Sequence, residues 1–424
     1  MAPDASSGKS GRELANPAKW ISKGAGDAAI WGECKGSGSQ PYRAQIDRAN
    51  IAFRCSCPSR KFPCKHGLGL MLLYARQPDS FADTNQPVWV TEWLEKRAVR
   101  DERKSEKKDR PVDAAAQAKR LQARERGVEE GMEELLLWMK DIVRNGILTV
   151  PEKGPSFFAG MARRMVDAKA PGLAGMVKGL GEVNFYKEGW QGRFMDRLAD
   201  MYLVIEGFRN KEALPEMLKY DLLGAIGFTQ NQEELKLQDG ITDHWLVLGR
   251  QTIEEERLTA ERNWLYGTQT NQYALVLQFG VRGQGEAFSF TPGMMLEAEL
   301  VFYPSERPYR AVVKRQLSTG GHAAVAGFVN WQQVAKAETD LSAVLPFRAE
   351  RPYILKQLQP VLHADKWWLA DSDNRLMQLE EGFKNMYTLL AVTGGGALDM
   401  AVLGREHSYE PLGVWTENSY ICLT

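Results

Sequence analysis

The chain has 424 residues, 44% of them hydrophobic, and its 54 Lys and Arg balance 54 Asp and Glu for a formal net charge of zero. That length and apolar content suit a soluble globular protein of two or three domains. No apolar run reaches the roughly eighteen residues of a membrane span, so no membrane partner is expected. The opening MAPDASSGKSGRELANPAKW has no signal-peptide core, which leads to the expectation of a cytoplasmic protein.

The charge is unevenly spread. Residues 1–126 hold 24 Lys or Arg against 15 Asp or Glu, and residues 127–424 hold 30 against 39. A basic N-terminal part on an acidic body is consistent with an anionic partner such as DNA or RNA, or with attraction between the two halves.

Residues 1–27, rich in Ala, Gly and Ser, are expected to be mostly flexible as far as Trp20. Their GKSGRE is not a phosphate loop, because it lacks the Walker spacing and no strand precedes it. AAIWGEC from Ala28 reads as a strand, YRAQID as a second, and RAN as a turn into a third strand at Ile51 to Arg54. This is a three-stranded meander.

Three of five cysteines and one of five histidines then fall within twelve positions, as C-x-C-x6-C-x-H: Cys55, Cys57, Cys64 and His66. Three thiolates and an imidazole complete a tetrahedral zinc shell with no vacant position, which points to one structural Zn2+. Side chains two apart on an extended chain share a face, so Cys55 and Cys57 are expected to point at one ion before Pro58 ends the strand. Pro63 suits the first position of a helix continued by Leu68, Leu70, Met71, Leu72 and Leu73, which sets Cys64 and His66 near its first turn. A catalytic zinc of the deaminase type would need an H-x-E arrangement, and no Asp or Glu occurs between Arg54 and Leu73. Arg43, Arg48, Arg54, Arg60, Lys61 and Lys65 surround these ligands, with Tyr42, Phe53 and Phe62 interleaved. Arg43, Arg54, Arg60, Lys61 and Lys65 are candidate nucleic-acid contacts, with aromatics stacking on bases; the alternative is a solvated basic face over core aromatics.

The four ligands within WGECKGSGSQPYRAQIDRANIAFRCSCPSRKFPCKHGLGL resemble the SWIM zinc finger, in particular bacterial proteins that carry it near the N-terminus; the likeness covers about residues 28–75. It implies zinc binding by Cys55, Cys57, Cys64 and His66. It also implies a DNA-binding or protein-binding module of the kind found in transposases, recombination factors and bacterial helicase-like proteins. Some such relatives are encoded beside AAA ATPases and von Willebrand factor A proteins, which implies an adaptor role.

A Pro-punctuated stretch then leads to a short helix anchored by Trp89 and Trp93. Residues 96–126 hold 12 basic and 6 acidic side chains and read as a charged linker, helical in places or disordered. From Val128 apolar residues recur at helical spacing, with further helices at about 156–168, 191–208 and 212–226 and breaks at APGLAG and GFTQNQ. After His244 the period changes: DHWLVLGRQ, QYALVLQFG, MLEAELVFY, YRAVVKRQL, KWWLAD, RLMQLE, MYTLLAV, LDMAVLG and GVWTENSYICL read as strands, with one helix at about 330–344 and a small barrel at the end. TGGGAL reads as a hairpin turn. The expected fold is α+β: a flexible 1–27, a zinc-stapled β-meander plus helix over 28–95, a charged linker over 96–127, a central helical region over 128–240 and a β-rich C-terminal region over 241–424.

No catalytic constellation emerges. His244, His322, His363 and His407 are isolated, Glu254, Glu255 and Glu256 read as a solvated run, and Cys34 and Cys422 are expected to be reduced thiols. The leading expectation is a zinc finger protein that binds nucleic acid or a protein. The rivals are a protein-interaction adaptor, with an AAA ATPase complex as a candidate partner, in which zinc is purely structural, and an enzyme with an unrecognised C-terminal site.

Overall fold

The computed structural model describes residues 5–36, 40–48, 52–59, 63–81, 83–108, 114–254, 258–281, 290–319, 325–347, 349–405, 407–417 and 419–424. The chain divides into two compact units. One comprises Met1–Pro111, Gln251–Arg262 and Leu277–Thr291; the other comprises Val112–Arg250, Asn263–Val276 and Pro292–Thr424. Among the described residues no helix is long and apolar enough to cross a membrane.

The N-terminal part of the first unit is an antiparallel sheet of four strands, β1 (Trp20–Ala25), β2 (Ala29–Cys34), β3 (Tyr42–Asp47) and β4 (Ala52–Cys55), paired in chain order. β2 is buried on both faces because two helices sandwich it. Ile30, Cys34, Ala44 and Ile46 pack with Leu70 and Leu73 of α2 (Lys65–Arg76). On the other face Ala29 and Trp31 pack with Val90 of α3 (Val88–Lys108). The expected flexible N-terminus is instead α1 (Ala5–Leu14) followed by β1, so the meander has four strands rather than three. α1 lies against α2 at glycine contacts: a Cβ on Gly69 would stand 2.7 Å from Leu14 Cβ. Two small residues let backbones approach, which a Gly/Ser-rich composition conceals.

In the second unit, α4 (Ala114–Arg144), α5 (Gly154–Asp167), α6 (Pro171–Gly181), α7 (Trp190–Arg209) and α8 (Glu216–Ile226) enclose one core. Val128, Leu135 and Ile142 of α4 meet Met165, Leu173, Phe194, Met201 and Leu222 in it. α6 falls where APGLAG suggested a break; Pro171 sits at its first position, where its missing N–H costs nothing. The charged stretch over 96–127 is largely helical, the end of α3 and the start of α4. A short α9 (Gln232–Leu235) leads into the β region.

That region opens, rather than closes, with a barrel. β5 (Ile241–Glu254), β6 (Leu258–Gly267), β7 (Tyr273–Val281), β8 (Met295–Phe302) and β9 (Arg310–Thr319) close in the order β5-β6-β7-β9-β8. α10 (Trp331–Val344) follows. A six-stranded sheet comes next, built from β10 (Arg351–His363), β11 (Lys366–Ala370), β12 (Leu376–Gln378), β13 (Leu398–Gly404), β14 (Tyr409–Trp415) and β15 (Tyr420–Cys422) in the order β12-β11-β10-β13-β14-β15. Alternation along its strands sends Ile354, Ala401, Leu403 and Leu412 onto the barrel and Tyr353, Leu355, Met400 and Val402 onto Trp331, Val334 and Leu389. MYTLLAV is not a strand but α11 (Met386–Thr393). The glycines after it are its C-terminal cap, Gly394 at φ 58, not a hairpin turn.

Candidate metal centre

Each ligand is positioned by local chain geometry. β4 ends at Cys55, and the ladder to β3 is extended one residue further by Ser56, whose N–H donates to Arg43 C=O at 3.0 Å while its hydroxyl accepts the Arg43 N–H at 2.9 Å. That clip turns the chain, so Cys57 reaches the site from the bend after the strand rather than from the strand itself. Cys64 is not inside α2 but caps it: its backbone is extended, and its Sγ accepts the Gly67 N–H at 3.5 Å. Pro63 therefore lies outside the helix. His66, in the first turn, is buried, and the Tyr42 ring lies 4.8 Å from its own ring.

The donor atoms of Cys55, Cys57, Cys64 and His66 all lie within 4.8 Å of one another. Nδ1 of His66 is the nitrogen that faces the thiols, 3.8 Å from Cys55 Sγ and 4.0 Å from Cys64 Sγ. Tetrahedral zinc bonds to sulfur and nitrogen imply donor separations of about 3.6–3.8 Å, so the four side chains close on an ion with little movement. Among the described residues these four form one structural zinc site, its donors three sulfurs and one nitrogen. His66 would hold it through Nδ1, the nitrogen that faces the sulfurs.

Without a cation the cluster is electrostatically frustrated. Burial alone would lower the His66 imidazole, but the Cys57 and Cys64 sulfurs beside it raise it to about 9. Hydrogen bonds with Cys57 and Cys64 push the Cys55 thiol up, while bonds from Cys55 and Cys64 pull Cys57 down toward thiolate. The Cys55 thiol and the His66 imidazole thus hold protons that a divalent ion displaces. Cys34 and Cys422 are free thiols; burial raises Cys34.

The surrounding cations divide into two groups. Arg43 Nε pairs with Glu33 at 3.2 Å and its guanidinium lies over Trp89; Arg48 donates to Gly26 C=O and lies over Tyr74. Arg54 and Lys65, next to ligands Cys55 and Cys64, are exposed. Arg60, Lys61 and Phe62 lie outside the described residues. The aromatics proposed for base stacking serve the interior, Tyr42 against His66 and Phe53 in the sheet–helix core. Nothing in residue type marked Ser56 as the clip that turns Cys57 inward; the signal lies in pairing between strands.

Of the remaining histidines, His244 Nδ1 meets Gln269 Nε2 at 3.0 Å, His407 lies 4.0 Å from Asp196, and His322 is outside the described residues, as are Glu255 and Glu256. The family described as SWIM zinc finger matches residues 54–75, and the SWIM-associated four-helix bundle domain matches residues 123–226. No curated protein matches the chain.

Proposed function

Because the chain is a SWIM zinc finger family protein, we propose that its zinc-stapled N-terminal unit is a nucleic-acid-binding module, acting without catalysis in the cytoplasm. The observation that carries this is the placement of Arg54 and Lys65. Each adjoins a zinc ligand and is held by the same cluster, each is exposed, and among the described residues neither has a carboxylate partner. Two rigidly mounted cations suit phosphate positioning rather than base readout.

One interior carboxylate serves the fold. Asp243, 1% exposed, accepts the backbone N–H groups of His244, Gln269 and Thr270 and the Thr270 hydroxyl, which makes it a clamp for the β6–β7 turn.

The test is binding of labelled single- and double-stranded DNA and of RNA to the zinc-loaded protein at two salt concentrations. The Arg54→Ala/Lys65→Ala double variant should bind more weakly on all sequences, with a salt slope shallower by about two contacts. Equal affinity and slope in parent and variant would sink the proposal.

One observation favours the adaptor alternative. On α7, Met195, Ala199, Tyr202 and Leu203 are exposed at helical spacing, an apolar stripe outside the bundle core. If protein binding through this stripe is the main activity, Tyr202→Asp abolishes association with the cognate protein and leaves nucleic-acid binding intact.

A further inference from the structure

The strand order of the barrel carries information of its own. Counted within the barrel, β5-β6-β7-β9-β8 is 1-2-3-5-4; β8 runs antiparallel to both β5 and β9, while β7 and β9 run parallel. This is the order of the OB-fold, in which oligonucleotides and oligosaccharides bind on the outer face of strands two and three and the adjoining loops. Fold alone does not assign a function, so the side chains on that face must decide.

Here strands two and three are β6 and β7. The bond from Gly267 N–H to Gln272 C=O and the Tyr266–Tyr273 ring contact at 5.1 Å set the register of this hairpin. Alternation then puts Trp264, Tyr266, Tyr273 and Leu275 on one outer face together with Arg262, Leu277 and Phe279. The first four pack beneath the six-stranded sheet, against Ile354, Ala401, Leu403 and Leu412. The last three do not: Phe279 is 59% exposed, and Arg262 and Leu277 are partly exposed. Carried two pairs onward, the same register sets Arg262 opposite Leu277 and diagonal to Phe279, within reach of a long side chain.

The loop between β8 and β9, another binding element of such barrels, is engaged within the protein. Glu306 N–H donates to the Asp221 carboxylate, the Tyr309 hydroxyl donates to Glu350 C=O, and the Arg351 guanidinium lies over the Tyr309 ring. The far part of the β6–β7 face is thus where a ligand finds an open surface. It offers a phenyl ring standing clear of the core beside an arginine.

We propose that this face binds single-stranded nucleic acid, with a base stacked on Phe279 and an adjacent phosphate at Arg262. An aromatic ring takes any unpaired base, and the guanidinium supplies the backbone charge contact. A duplex keeps its base faces covered, and a closed barrel has no free strand edge here for peptide addition. The site uses no residue of the zinc-bearing sheet and does not depend on that sheet binding nucleic acid.

The experiment uses full-length zinc-loaded protein and fluorescent oligodeoxythymidylate or oligouridylate of about 20 nucleotides, longer than the roughly 4–16 nucleotides an OB barrel covers. Phe279→Ala should weaken binding about tenfold or more, and Phe279→Tyr should restore it. Arg262→Gln should weaken it and make the salt slope shallower by about 0.7. The Phe279 effect should persist in the Arg54→Ala/Lys65→Ala background, which separates failure of this site from failure of the zinc module. Equal affinity of parent and Phe279→Ala, or no single-strand binding by the parent at low salt, overturns the proposal. Should Phe279→Ala melt early, photocrosslinking of a 4-thiothymidine oligonucleotide to the parent decides: crosslinks within Tyr273–Val281 support the site, and crosslinks confined to other segments reject it.

Discussion

Cys64 carries two functions on one sulfur, as zinc ligand and as the cap of α2. Their magnitudes differ widely: a helix cap contributes about 1 kcal/mol, whereas structural zinc supplies about 10–16 kcal/mol of apparent free energy at neutral pH. Cys64→Ser keeps a good capping side chain yet should lose zinc and local folding, as should Cys57→Ser. Metal content by atomic absorption and tertiary structure by near-UV dichroism check this; a zinc-replete, folded variant would contradict the ligand assignment. His66 adds a pH dependence. Beside the Cys57 and Cys64 sulfurs the imidazole keeps its proton until pH rises through about 9 when no ion is bound. Zinc competes with that proton and with the one on the Cys55 thiol, so its apparent affinity should climb with pH toward about 9. Chelator competition at several pH values tests this, and a flat profile would refute it.

At the level of elements, glycine and arginine contacts hold helices in place. A Cβ on Gly69 would meet both Leu14 and the C=O of Gly11, so Gly69→Val should displace α1 and cost about 1–3 kcal/mol. Thermal melting of zinc-loaded protein measures the loss, and an unchanged midpoint would argue against a packed α1. In the bundle, Arg124 of α4 donates to the C=O groups of Lys169 and Gly227 and lies 3.9 Å over the Phe228 ring. It thereby holds the chain just beyond α5 and α8, where helix carbonyls lack partners and the macrodipole is negative. Arg124→Ala should destabilise the bundle by about 1.5–3 kcal/mol, as read in urea unfolding. The periodicity of α4, α5, α7 and α8 was plain in the sequence because each buries a regular apolar stripe. α1 and α6 were not, since small residues and Pro-Gly pairs look like loop wherever tertiary contacts supply the stability, and α11 read as a strand because a short apolar run carries no helical period.

For the whole molecule, the decisive property is that zinc staples one compact unit while the other rests on its own hydrophobic cores. A single unfolding free energy is then the wrong description. Calorimetry of zinc-loaded protein should show two transitions, and chelation should remove the one that belongs to the zinc-bearing unit while the other keeps its midpoint. Loss of both on chelation would show that the units are energetically coupled.

The zinc site was determined by the sequence alone, because its chemistry depends on four residue types at short spacing, and zinc tolerates few donor sets. The α+β class was equally plain, since side-chain periods of 3.6 and 2 survive in a linear pattern. Tertiary structure decided how the donors arrive: Cys57 through a clip between strands, and Cys64 from a cap. It also decided which cations are paired among the described residues, Arg43 with Glu33 while Arg54 and Lys65 meet no described carboxylate, and which aromatics are core, Trp264 but not Phe279. Those outcomes depend on pairings between segments far apart in the chain, which local propensity and spacing do not encode.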